Sequence, residues 1–411
     1  MSPVLAPFRI TSLLLLLMSA PALAARPLTM DDSVALALER SPRLISAQAE
    51  AAAARARLQG ASLLLQANPQ LPGAVGPRLR AGDNSVDVGL GISQQFEVFG
   101  QPGARRAAAA ESLTASQARL EALRVELAAE VRVAFARALA AEQSVRLADE
   151  ARTLAEQSLK AAEERLTAGA ASRIEVNTSR VEMGRASRER ALAAQRRTVA
   201  LGELRLLLGV EPSDELVLEG GLRAGAATAQ PVEPLLERAL AQRPEVKAAR
   251  SELEAARAEA KLAAREALPN PSLGVSYSRE EGADIIQGTL GIELPLFNRN
   301  QAARGVSAAR VVQGEAALSA PERLVRLGVG LALERYRAAS AAAEAFSEEV
   351  LAALQQNLEL VNEAYRAGKV DFLELLVIRR EALDARRGYI DALEELSAAD
   401  AQLKRAVGSI Q

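Results

Sequence analysis

Val86-Asp-Val-Gly-Leu-Gly-Ile92 decides how this chain is read. Val86, Val88, Leu90 and Ile92 fall on one side of an extended backbone, while Asp87, Gly89, Gly91 and Ser93 fall on the other. Period two with one apolar face means a strand, and the small, polar face suits a strand lining water. The pattern returns about 200 residues later. Leu273, Val275 and Tyr277 alternate with Ser272, Gly274, Ser276 and Ser278. Ile286, Gly288, Leu290, Ile292 and Leu294 alternate with Gln287, Thr289, Gly291 and Glu293. These predict two strands around a turn at Glu281-Gly282, so strand-bearing stretches are expected at about 69–99 and 271–297.

The flanks are helical. Thr29 can cap a helix, with Asp32 three residues on closing the box. That helix is predicted to run to about Gln66, ended by Asn68-Pro69 and Pro72-Gly73. From Ala104 to about Leu166 there is no Pro or Gly, and a helix over that stretch would reach roughly 90 Å. Leu120, Leu123, Leu127 and Val131 form its apolar stripe. Gly169 breaks it, and a further helix spans Arg173 to Leu208. The order then repeats: a helix over Leu235–Leu268 with Arg243-Pro244 near its start, the strand pair, a long helical region over Arg304–Arg366, a break at Gly368, and a last helix over Phe372–Val407. Leu351, Leu354, Leu358, Val361 and Tyr365 make a 3-4 heptad run. Pro321 falls inside the second long helix, which either kinks there or restarts; the restart, with Pro321 in the first turn and Ser319 near the cap, is the favoured reading. Ser41-Pro42 matches Arg243-Pro244, Gly91-Ile92 matches Gly291-Ile292, Thr167-Ala168-Gly169 matches Arg366-Ala367-Gly368, and Leu208-Gly209 matches Val407-Gly408, all at nearly one offset. The chain therefore divides into two copies of one unit, 25–210 and 232–408, joined by a linker over 211–231 and followed by a tail over 409–411.

Composition narrows the function. The 411 residues are 49% hydrophobic but only 3% aromatic, with no Trp, as suits long Ala- and Leu-rich helices packed along their length. A net charge of −2, with Arg and Glu interleaved throughout, argues against a nucleic-acid binder. With no Cys and no His, disulfides, thiol nucleophiles and imidazole chemistry are excluded, and no cofactor is expected. Acidic residues fall on helix surfaces rather than in pairs, Asp31-Asp32 reads as a helix start, and an enzyme is not expected. Arg9, the run Leu13–Leu17 and Ala22-Leu23-Ala24 read as a signal peptide over 1–24, removed near Ala24 or Ala25. No later segment is a transmembrane helix candidate. A membrane protein made from this chain must close its strands into a barrel. About four strands per chain cannot do so, since the smallest membrane barrels have eight, and closure needs further copies. A soluble periplasmic coiled-coil adaptor or scaffold is the alternative, and it leaves the Val86–Ile92 strand without a purpose.

The glycine breaks mark the far end of the helices. Gly169 is followed by Arg173 and Glu175, and Gly368 by Asp371 and Glu374. The acids suit helix N-termini, and at a tube's tip they would form a ring that concentrates cations. Arg173 is placed to pair with a neighbouring carboxylate and hold such a tip closed.

Four stretches carry a family likeness: Leu28-Thr-Met-Asp-Asp-Ser-Val-Ala-Leu-Ala-Leu-Glu-Arg-Ser-Pro42, Ile92-Ser-Gln-Gln-Phe-Glu-Val-Phe-Gly100, Ile292-Glu-Leu-Pro-Leu-Phe-Asn-Arg-Asn300 and Tyr365-Arg-Ala-Gly-Lys-Val-Asp-Phe-Leu-Glu-Leu-Leu376. In their order and double occurrence the chain resembles the outer membrane efflux proteins, the TolC-like channels, and among them the heavy-metal and cation branch. The resemblance implies a mainly α protein with membrane β-structure. It implies a homotrimer sharing a twelve-stranded barrel among outer membrane lipid and a long periplasmic α-helical barrel. It implies a passive duct for cations, heavy metals or other small toxic compounds, driven by an inner-membrane resistance-nodulation-division pump through a periplasmic adaptor. Gly169 and Gly368 would mark the hairpins where the adaptor docks and the gate lies. Pro295 with Phe297, and Gln95 with Phe99, would mark the corners from barrel to tunnel, Gln95 standing where the family often has Pro.

Overall fold

The computed structural model describes residues 27–80, 83–214, 216–222, 231–280 and 282–409. The expected signal peptide, Gly225 of the linker and Glu281 of the strand turn lie outside them. In chain order the elements are α1 (Met30–Arg40), α2 (Pro42–Ala61), β1 (Gly73–Arg80), β2 (Asp83–Gln95), α3 (Gln101–Thr167), α4 (Arg173–Leu208), α5 (Val232–Gln242), α6 (Pro244–Arg265), β3 (Pro271–Glu280), β4 (Ala283–Ile292), α7 (Gln301–Glu344), α8 (Glu348–Arg366) and α9 (Phe372–Val407).

Proline explains where two expected helices divide. The Thr29–Asp32 capping box forms, with the Thr29 side chain accepting from the Asp32 amide and the Asp32 carboxylate accepting from the Thr29 amide. The helix it starts ends at Ser41, and the Leu235–Leu268 helix divides at Arg243. A proline ring pushes the preceding residue out of the α region. Ser41 (ψ 122°) and Arg243 (ψ 124°) both sit in extended backbone, each followed by Pro at the first helical position.

Pro321 behaves otherwise, and the expected restart there is corrected. Helix α7 continues through it without a break. The bond it forgoes is to the carbonyl of Ala317, an exposed residue whose oxygen water can reach. Ser319 does not cap: its hydroxyl donates to the Ala316 carbonyl at 2.8 Å. The chain breaks instead at Ser347, whose side chain accepts from the Val350 amide and starts α8. Helix α3 has no such break in its 67 residues, which span about 100 Å.

The two largest apolar clusters hold the helices together. Val34, Leu127, Val131, Phe135, Leu204 and Leu208 pack where α1, α3 and α4 meet, and Leu235, Val329, Leu333, Leu396, Leu403 and Val407 pack where α5, α7 and α9 meet. The linker is tied to the chain's start: the Leu28 amide donates to Val217 and the Glu219 amide to Leu28, at 2.8 and 2.9 Å.

The four strands form one antiparallel sheet in the order β1-β2-β3-β4. Ile92 faces Val275, Leu90 faces Tyr277, and Tyr277 faces Ile286, so the apolar residues share one face. Among the described residues nothing covers that face: Val86, Leu90, Val275 and Leu290 are 64, 54, 55 and 76% exposed. The other face carries Gly and Ser, with Arg78 bridging Asp87 and Glu280 at 2.8 and 3.3 Å. Among the described residues no helix is long and apolar enough to cross a membrane.

Candidate gate at the helical tip

Helices α3 and α8 end alike. Gly169 (φ 74°) and Gly368 (φ 70°) take the left-handed conformation that glycine adopts without penalty. The Ala170 amide reaches back to the Arg165 carbonyl and the Lys369 amide to Ala364, both at 2.8 Å. With the Gly169 and Gly368 amides on Leu166 and Tyr365, these are two Schellman closures. Each turn feeds a capped helix. Ser172 accepts from the Glu175 amide at 3.2 Å, and Asp371 from the Glu374 amide at 2.7 Å. Asp371→Ala is expected to cost about 1 kcal/mol of local stability, and Asp371→Asn much less. Amide exchange at Glu374, about fivefold faster in the Ala variant alone, checks this.

Beside the turns, three helices meet on one polar cluster. The Tyr365 hydroxyl of α8 donates to the Glu175 carboxylate of α4 at 2.5 Å. The Arg165 guanidinium of α3 lies 3.8 Å from the same carboxylate and 4.8 Å above the Tyr365 ring. Tyr365 is buried with Val361 and Leu375, its ring 5.9 Å from that of Phe372. Burial, and then the Glu175 carboxylate, push its phenol up to about 12, so it remains a donor at neutral pH.

The structure thus brings Glu175 into a bridge between the two hairpins and gives Gly169 and Gly368 the turns. Glu374 is exposed, and Asp371 serves as a cap. Arg173 is exposed and forms no ion pair with the described residues of its own chain; the arginine on Glu175 is Arg165. Tyr365 and Arg165 were missed as site residues. In the sequence Tyr365 reads as an apolar heptad position, yet a buried phenol needs a hydrogen-bond partner, and that is the signal available. Above the cluster, Arg380–Glu182 and Arg387–Glu189 ion pairs, 3.3 and 3.5 Å, tie α9 to α4 at heptad spacing. Among the described residues no group of three or more acids could hold a metal ion.

Very long helices joined to an antiparallel sheet with one bare apolar face are the build of a membrane channel subunit. The chain belongs to the outer membrane efflux protein family, whose sequence profile matches residues 34–210 and again 235–409. It is an outer membrane efflux channel and not an enzyme, and the soluble adaptor reading is not favoured. The cobalt-zinc-cadmium resistance protein CzcC of Cupriavidus metallidurans is 25% identical over 390 residues, covering 94% of this chain and 92% of that one. A crystal structure of CusC, at 21% identity, superposes with a TM-score of 0.75 over 92% of each chain. The open state of the Neisseria gonorrhoeae MtrE channel, at 22% identity, gives 0.74 over 92% of this chain and 89% of that one.

Proposed function

We propose that three copies of this chain form the exit duct of a tripartite cation or heavy-metal efflux system, with the strands in the outer membrane and the helices in the periplasm. The observation that carries this is the sheet. Its ten-residue strands β3 and β4 extend about 33 Å, which a 45° tilt reduces to roughly the height of a membrane barrel's apolar band. Its outer edges, β1 and β4, find no strand partner among the described residues, and open edges are not tolerated in hydrocarbon. Pairing β4 of one copy with β1 of the next removes every edge, and three copies supply twelve strands. The internal repeat is supported by the double match to the family profile and by left-handed residues at Gly100 and Asn300, Gly169 and Gly368, and Gly209 and Gly408.

The likeness to CzcC supports metal cations as cargo. The absence of His and Cys suits a passive duct that leaves selection and energy to an adaptor and a resistance-nodulation-division pump. The tip is the gate: Tyr365, Glu175 and Arg165 latch the hairpins, and exposed Glu374 faces the cations as they enter. Deleting the gene is expected to sensitise the cells to cobalt, zinc or cadmium, and the protein should be recovered only with detergent, as a trimer. Recovery as a soluble monomer without detergent would sink the duct, and unchanged sensitivity to all three ions would remove the cargo assignment alone.

A further inference from the structure

We propose that the corner between β4 and α7 closes on the turn between α2 and β1 of the next copy, with Phe297 against Leu64 and the Gln301 amide donating to Asn68. The inference rests on the trimer proposed above and names what meets along its seam. The first repeat shows the same corner closed inside the chain. Gln101 opens α3 and is 1% exposed. Its Oε1 accepts from the Phe99 amide at 2.8 Å, and its Nε2 donates to Asn270 Oδ1, in the turn between α6 and β3, at 3.0 Å. One helical turn on, Arg105 pairs with Glu97, both mostly buried, and Glu266 at the end of α6 adds a second negative charge beside them. Further along, Arg119 of α3 holds Glu252 of α6 at 2.5 Å. Three polar contacts thus fasten α3 and its corner to α6.

The second repeat builds this corner again and leaves it open. Gln301 begins α7, and its Oε1 accepts from the Arg299 amide at 2.7 Å, as Gln101 does from Phe99. Its Nε2 turns back to the Phe297 carbonyl at 3.1 Å, and the residue is exposed. Strands β1 to β4 continue into or out of α2, α3, α6 and α7, and neighbouring helices of that series pack together, as neighbouring strands pair. Closing β4 on β1 of the next copy therefore puts that copy's α2 beside α7, as α6 stands beside α3. The step that takes Pro42 to Pro244 also takes Leu64 to Glu266 and Asn68-Pro69 to Asn270-Pro271. Asn68 is exposed, and its side chain has no partner among the described residues. It offers Gln301 what Asn270 gives Gln101. The charged clip changes character across the seam. Glu97 is repeated as Phe297 and Arg105 as Gly305, while Leu64 stands for Glu266. Phe297 and Leu64 are 92 and 86% exposed in the single chain, and a Cβ at Gly305 would meet nothing within 4 Å, which leaves room for the ring. Ala308 and Val312 continue the exposed stripe along α7. An ion pair serves a contact made as one chain folds. Apolar side chains serve one that must draw copies together, because their burial drives association.

The chain has no cysteine, so introduced pairs report only on themselves. Asn68→Cys with Gln301→Cys, treated in detergent with a short bis-methanethiosulfonate linker, should give two and three joined copies on a denaturing gel. Neither single variant should. The reference pair, Gln101→Cys with Asn270→Cys, should be joined within one copy. Phe297→Glu should lower trimer recovery about tenfold, because it buries an unpaired charge in the seam, and adding Leu64→Arg should restore most of the loss. These two variants decide the matter if the cysteine pair does not assemble. Trimers that the linker leaves as single copies overturn the seam. So does a Phe297→Glu variant whose trimers are undiminished, or are diminished and not restored by Leu64→Arg, which is the result expected of a ring set in lipid. Failure of the trimer itself would look different, as unsubstituted protein running as one copy in detergent.

Discussion

Gly274→Val is expected to abolish recovery of assembled trimers, while Gly288→Val on the neighbouring strand is tolerated. Gly274 lies on the polar face of β3, between Ser93 of β2 and Thr289 of β4. A Cβ there would stand 2.6 Å from Thr289 Oγ1, 2.8 Å from the Ile92 carbonyl and 3.0 Å from Ser93 Cβ. The carbonyl is a backbone atom and cannot rotate away. Relief requires β2 and β3 to part at the centre of the sheet. Overpacking of this kind typically costs about 1–3 kcal/mol per site, and the proposed barrel would carry the site three times around one closed ring. Gly288 is also a strand glycine, but its added Cβ meets nothing within 4 Å. The pair separates crowding from general loss of strand flexibility. Trimer yield from detergent-solubilised membranes measures it, and equal yields for the two variants would refute the argument.

The strand and helix pattern was legible because it rests on local periodicity. Helices α4 and α9 begin and end at Arg173, Leu208, Phe372 and Val407, where the sequence placed them, because Gly169, Gly209, Gly368 and Gly408 punctuate both ends. The divisions at Ser41 and Arg243 are marked by Ser-Pro and Arg-Pro pairs, but the apolar pattern continues across them and masks the breaks. Pro321 misled for the opposite reason. A proline's effect depends on whether water can reach the carbonyl it strands, and exposure is a tertiary property. The tip was legible as turns and acids and illegible as a cluster. Glu175 and Tyr365 are 190 residues apart, and Arg379 lies 221 from Ser158. No spacing rule connects them, because the contacts exist only once the two hairpins are side by side.

Tyr365→Phe is expected to open the gate at neutral pH with trimers intact. The substitution removes one oxygen and keeps the ring beneath Arg165 and against Phe372. The lost interaction is a hydrogen bond to a charged acceptor, worth about 1.5–3 kcal/mol, which shifts a closed–open balance about tenfold or more for each latch. In planar bilayers the variant should show a correspondingly higher open probability. Glu175→Gln should have a smaller effect, since a side-chain amide still accepts from the phenol while losing the Arg165 charge. In the double variant the effects should fall short of additive, as both act on one bond. The pH dependence has a definite sign. The Tyr365 phenol is raised above its ordinary value of about 10, so its contribution to the closed state is complete below that pH and is lost as the pH rises through about 12. Native channels should therefore stay closed through neutral pH, and Tyr365→Phe channels should lack the opening step near 12 while keeping any step near 10, where the buried Arg379 guanidinium loses its proton. Equal open probabilities for the native channel and the Tyr365→Phe channel would place the gate elsewhere, because no other change to this cluster isolates the phenol hydrogen bond so cleanly from packing.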